Sequence, residues 1–139
     1  MTDLALQLRG RIRLFALING AAILGWRVGE AMAAHMGAGA GFILSGIGMA
    51  LWIVSVIVLF GQGWHARKAG VFDLVGDAWA RRLHRDALAG AAAGAALGYG
   101  LAMLIDGTGA ERLTLPLAGA AAGFLFSWVA LDVRRHGRG

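Results

Sequence analysis

Apolar residues run through this chain in long blocks, and charge is confined to the gaps between them. The longest block, Ala31 to Trp64, is 34 residues without a formal charge. It is too long for one membrane crossing, which takes roughly 20 residues. It divides into the end of one span, a glycine turn at Met36-Gly-Ala-Gly-Ala40, and a second span over about 41–61. The second span peaks in apolarity at Leu51 to Phe60, and Trp64 marks its far interface, where indoles favour the headgroup layer.

The first span extends backward from the same block. Leu14 to Trp26 is uncharged but only 13 residues, so the span is placed at about 13–34 and takes in Arg27 and Glu30. Its basic start and the Ala31-Met32-Ala33 step also fit a secretory signal pattern, the rival reading of this segment. Two further apolar runs predict spans at about 87–105 and 113–131, joined by the short polar loop Asp106 to Arg112. Pro116 falls in the first turn of the last span, where proline is tolerated.

The segment between spans two and three has a different period. Val71, Phe72, Leu74, Val75, Ala78, Trp79 and Leu83 recur at helical spacing, with Asp73, Asp77, Arg81 and Arg85 at four-residue steps opposite. Asp77 before Arg81 is the favourable order for an i,i+4 pair, and acids early with arginines late suit the helix dipole. This predicts an amphipathic helix over about 71–85, lying on the membrane surface. The expected fold is therefore an all-α membrane protein, a single domain over 1–139, with four transmembrane helices in a bundle and one cytoplasmic interfacial helix.

Composition agrees with lipid burial. The chain is 58% hydrophobic and 15% charged, with mean hydropathy +0.66. A soluble fold of this length could not hide so much apolar surface. There is no cysteine, so disulfides, thiol catalysis and cysteine-bound metals are excluded. A pI near 11.3 in a soluble protein would suggest nucleic acid. Here arginines flanking spans account for it, and no nucleic-acid partner is expected.

The distribution of that charge predicts orientation. Eleven of the thirteen basic residues fall in the N-terminal segment, the middle loop and the tail. Only Arg112 falls in the other loops, and Arg27 lies within span one. Four spans then place both termini and the middle loop in the cytoplasm of a bacterial inner membrane. The cationic groups Arg67, Lys68, Arg81, Arg82 and Arg85 are expected to face anionic lipid headgroups.

Glycine occurs 23 times, and its spacing is informative. Leu88-Ala-Gly90-Ala-Ala-Ala-Gly94 recurs as Leu117-Ala-Gly119-Ala-Ala-Ala-Gly123, and the first copy continues to Gly98. Glycine every fourth residue cuts a smooth groove along one helix face, so two backbones can approach closely. The short loop makes spans three and four antiparallel, with Gly94 and Gly98 expected level with residues near 124 and 120. Span one carries a similar row, Ala21, Gly25, Gly29 and Ala33, and span two adds Gly41 and Ser45. These faces pack either within one bundle or against a second copy or another membrane protein.

Candidate chemistry is sparse. Arg27 and Glu30, at i,i+3, are the only charges inside a span and can pair. A charge within a membrane is a functional candidate by default. Arg27 lies roughly 10 Å from the outer end, within reach of snorkelling. His35 and His65 sit at opposite ends of their spans, so they cannot share a haem, and no histidine–acid cluster has metal-ligand spacing. Ser45, Ser55 and Ser127 lack a neighbouring base and are expected to bond the preceding helical turn. No enzyme and no cofactor is expected.

Residues 77–135 resemble small uncharacterised bacterial membrane proteins of three or four spans. The resemblance rests on Asp77-Ala-Trp79-Ala-Arg81-Arg82-Leu-His84-Arg85-Asp86-Ala, then a span, a short loop, a span and Arg134-Arg135. It implies architecture and carries no activity. The functional expectation is a non-enzymatic accessory, assembly or structural subunit packing through small-residue faces. The alternative is a small oligomeric transporter or channel using Arg27 and Glu30.

Overall fold

In the computed structural model, residues 3–37, 39–70 and 78–136 are described, the side chains of 78–82 and 136 excepted. They form four helices: α1 (Asp3–Met36), α2 (Gly39–Lys68), α3 (Ala78–Leu104) and α4 (Glu111–His136). No strand occurs among the described residues. All four helices are long and apolar enough to cross a membrane. The expected surface helix over 71–85 is only partly in view. Residues 71–77 lie outside the described residues, and 78–85 form the first turns of α3.

Local chemistry explains the helix ends. Gly37 takes a φ of 60° just past α1, the left-handed conformation that glycine adopts without a Cβ penalty. Asp106 does the same past α3 at φ 50°. There the Gly107 amide bonds the Ala102 carbonyl at 2.8 Å and the Asp106 amide bonds that of Met103 at 3.3 Å. This is a Schellman closure, with aspartate in place of glycine. α4 opens with a reciprocal cap. The Thr108 amide donates to the Glu111 carboxylate at 2.7 Å, and the Glu111 amide donates to the Thr108 hydroxyl at 3.4 Å. Thr108→Ala should lower thermal stability by about 1 kcal/mol, read as a midpoint shift in detergent.

Because α4 starts at Glu111, Pro116 lies in its second turn rather than its first. There it lacks the N–H that would bond the Arg112 carbonyl.

Three extensive interfaces order the helices as α2–α1–α4–α3. α1 and α2 form one antiparallel hairpin, and α3 and α4 the other. α1 joins them by running antiparallel to α4. α2 and α3 occupy the flanks, so their outer faces carry much of the exposed apolar surface, including Phe42, Ile57 and Phe60 on α2 and Leu88 and Leu104 on α3. That inversion of the soluble pattern suits helices whose solvent is lipid.

Candidate functional site

Glycine decides how closely each hairpin packs. A Cβ at Gly94 would collide with the Gly119 carbonyl, one at Gly123 with that of Gly90, and one at Gly98 with that of Leu115. The five glycines Gly90, Gly94, Gly98, Gly119 and Gly123 therefore face one another across the α3–α4 seam. The register differs from the expected one by about a turn: Gly94 meets Gly119 and Gly123, and Gly98 meets Leu115 and Pro116 rather than residue 120.

In the other hairpin, a Cβ at Gly29 would lie 2.5 Å from the Ser45 amide nitrogen and 2.8 Å from the Gly41 carbonyl oxygen. Gly48 abuts the Trp26 and Ala22 backbone, a contact the sequence row did not include. Gly25 is the exception among the expected packing glycines. Its added Cβ would meet the Leu44 side chain at 3.6 Å and the Gly48 Cα at 4.0 Å, both ordinary van der Waals distances.

Polar groups tie the helices at three depths. At one end, Asp132 of α4 is fully buried and accepts from Arg9 Nε at 3.1 Å and Arg9 Nη2 at 2.7 Å. Arg13 Nε also donates to its carboxylate, and Arg13 Nη2 to its backbone carbonyl at 3.4 Å. Beside this cluster, Arg135 reaches Asp86 on α3 at 2.8 Å. Within the span, Asn19 Nδ2 donates to Ser55 Oγ at 2.9 Å, and Ser55 Oγ donates to the Trp52 carbonyl at 2.8 Å. Ser55 thus makes the back-bond expected of it and accepts an interhelical one as well. At the other end, His35 Nε2 of α1 lies 2.9 Å from both carboxylate oxygens of Glu111 on α4.

Those end clusters set a ruler. Arg13 to His35 along α1 rises about 33 Å, and Glu111 to Asp132 along α4 about 32 Å, at 1.5 Å per residue. Both match a hydrocarbon layer of roughly 30 Å. The end holding Asp132 also gathers the N-terminal arginines, Arg67, Lys68, the start of α3 and Arg134 and Arg135, so it is the basic end. Of the expected lipid-facing cations, Arg67, Lys68 and Arg85 are exposed there, and Lys68 Nζ sits 5.7 Å from the Trp64 ring centroid. The Arg81 and Arg82 side chains lie outside those described.

On this ruler Arg27 lies about 12 Å and Glu30 about 7.5 Å inside the level of His35. They pair as expected: Arg27 Nη1 donates to Glu30 Oε2 at 2.8 Å. Two further contacts join them through Trp26. Its Nε1 donates to Glu30 Oε1 at 2.8 Å, and the Arg27 guanidinium stands 4.0 Å from its ring centroid. Trp26 in turn packs on Trp52 at 5.4 Å. The pair is turned outward, with side chains 28% and 47% exposed for Arg27 and Glu30. A cavity of about 440 Å³ adjoins it, lined by Glu30, Ala33, Ala34, Phe42 and Ser45.

A second groove of about 290 Å³ runs between α1, α3 and α4. It is lined only by apolar side chains and glycine backbone, among them Leu24, Leu97, Leu101 and Phe126. Nothing on its walls could replace the hydration shell of a polar solute. Among the described residues no group of three or more histidines or acids could hold a metal ion. His84 rests instead against Phe124 and Trp128, with ring centroids 5.9 and 6.4 Å away.

The Arg9–Arg13–Asp132 cluster, the Asn19–Ser55 bond and the His35–Glu111 contact were absent from the sequence expectations. A signal for each existed in matched height: opposite charges, or paired polar groups, at the same predicted depth on different spans. Replacing Asn19 or Ser55 by alanine should cost about 0.6 to 1.7 kcal/mol each. A double-mutant cycle on detergent stability should show the two losses coupled.

No family model matches the chain, and no curated protein or solved structure matches it.

Proposed function

We propose that this chain is a non-enzymatic accessory, assembly or structural subunit of a bacterial inner membrane, with both termini and the segment after α2 on the cytoplasmic side. The observation that carries this reading is the outward-facing Arg27–Glu30 pair. It lies within the apolar layer on the surface of a single chain, where an ion pair is expensive and is ordinarily covered by protein. A contact with another membrane protein would remove that exposure.

The glycine faces support a related point. They are used within the two hairpins, so they hold the subunit together and leave the Arg27–Glu30 strip as the surface for association. The excess of cations at the basic end supports its cytoplasmic placement and contact with anionic lipid headgroups.

The test is purification from native membranes in mild detergent, with the mass of the intact complex measured. A stoichiometric partner or a defined homo-oligomer is the expected result. A lone monomer whose reconstitution gives solute flux, abolished by Arg27→Ala or Glu30→Ala, would instead support the small transporter or channel. The wholly apolar lining of the groove between α1, α3 and α4 weighs against that second reading.

A further inference from the structure

We propose that the protein covering the Arg27–Glu30 strip is a second copy of this chain. The two copies would pair about a two-fold axis along the membrane normal, each Arg27 donating to Glu30 of the partner subunit. This rests on the subunit reading above and names its partner.

The argument begins with unused hydrogen-bonding capacity. A guanidinium has five N–H donors. Arg27 uses one of its terminal nitrogens on Glu30, and its remaining donors meet no acceptor among the described residues. A carboxylate has about four lone-pair sites. Glu30 accepts one bond from Trp26 and one from Arg27, which leaves about two. Both surpluses sit within the apolar layer, where unmet polar capacity is costly.

A single surface thus carries spare donors and spare acceptors one helical turn apart. An isologous interface has that property, because each side must supply what the other lacks. Two copies inserted in the same orientation bring their α1 strips alongside at equal height. Arg27 and Glu30 of the partner subunit are then offset by about 4.5 Å along the axis, a separation that the long arginine side chain spans.

The neighbouring shape allows the approach. Ala34, one turn beyond Glu30, is small and exposed. The adjoining 440 Å³ cavity presents Glu30 and Ser45 on its wall and is large enough to admit a guanidinium from outside. A different protein could cover the strip only by matching both charges at the same depth.

The absence of cysteine makes the test direct, since one introduced thiol is the only one. Ala34→Cys in native membranes, under mild oxidation, should give a band of doubled mass. Leu104→Cys, exposed on α3 and outside the groove shared with α1, should not. Arg27→Glu should lower the Ala34→Cys dimer yield about tenfold, the effect of roughly 1.4 kcal/mol. Arg27→Glu combined with Glu30→Arg should restore it, because the swapped pair is again self-complementary.

A photo-crosslinking residue at position 34 separates the remaining outcomes. A homodimer adduct supports the proposal. An adduct with a different protein overturns the second copy and leaves the subunit reading standing. Adducts with lipid alone overturn both.

Discussion

Asp132→Ala should be the most damaging single substitution in the described structure, destabilising the fold by about 3–5 kcal/mol. The carboxylate is fully buried and receives both Arg9 and Arg13, whose side chains are only 9% and 12% exposed. Removing it leaves two guanidinium groups packed between α1 and α4 without their shared counterion. The loss exceeds that of the bonds themselves, because breaking a buried ion pair from one side leaves the desolvation cost of the remaining charges without the attraction that offset it.

α1–α4 contact is also what joins the two hairpins, so the damage should not stay local. The measurement is thermal or denaturant unfolding in detergent, together with protease accessibility of the α2–α3 connection. The variant should lose its cooperative transition or move it to much lower temperature. Arg135→Ala is the comparison. It breaks an exposed ion pair with Asp86, a kind worth at most about 1 kcal/mol. A similar effect from both would refute the special standing of Asp132.

The second large effect is expected at the α3–α4 seam. Gly94→Ala places a methyl group into the Gly119 carbonyl, a backbone atom that cannot swing aside. Relief requires the helices to separate along several turns, losing the close backbone contact that holds antiparallel helices together in lipid. A loss of about 2–3 kcal/mol is expected, in the range of overpacked cores. Gly25→Ala provides the contrast. Its methyl group fits at ordinary van der Waals distance from the Leu44 side chain and the Gly48 backbone, and glycine in a helix interior is about 0.5–1 kcal/mol worse than alanine. That variant should be neutral or slightly more stable. Equal destabilisation by the two would show that glycine spacing, rather than its partner across the seam, sets the effect.

The contrast between Gly94 and Gly25 shows how far spacing can be trusted. Both stand in rows of small residues at four-residue steps. One row was continuous on both helices, and there glycine meets glycine across the seam, about a turn from the expected level. In span one the small row marks one face correctly at Gly29, but Gly25 lies at the edge of the α2 contact. Gly20 and Gly48, outside the rows, are just as tightly placed: Gly20 beneath Phe126, and Gly48 against the Trp26 backbone. A pattern along one helix gives a face to within a wide arc. Only the partner's position selects the residues at its centre.

Although α1 begins about ten residues and α3 about nine before the expected spans, hydropathy by itself determined that there are four helices long and apolar enough to cross a membrane and that the cations gather at one end. These follow from local quantities, the apolar length needed to match a bilayer and the cost of charge within it. Helical spacing likewise put Arg27 and Glu30 within reach of each other, since they stand three residues apart on one face. The order α2–α1–α4–α3, the burial of Asp132 beneath two arginines from the far end of the chain, and the outward aspect of the Arg27–Glu30 strip were settled only by tertiary structure. Each depends on which helix faces which and at what rotation. In lipid that choice is made by close contact and by hydrogen bonds between residues more than a hundred positions apart, such as Arg9 and Asp132.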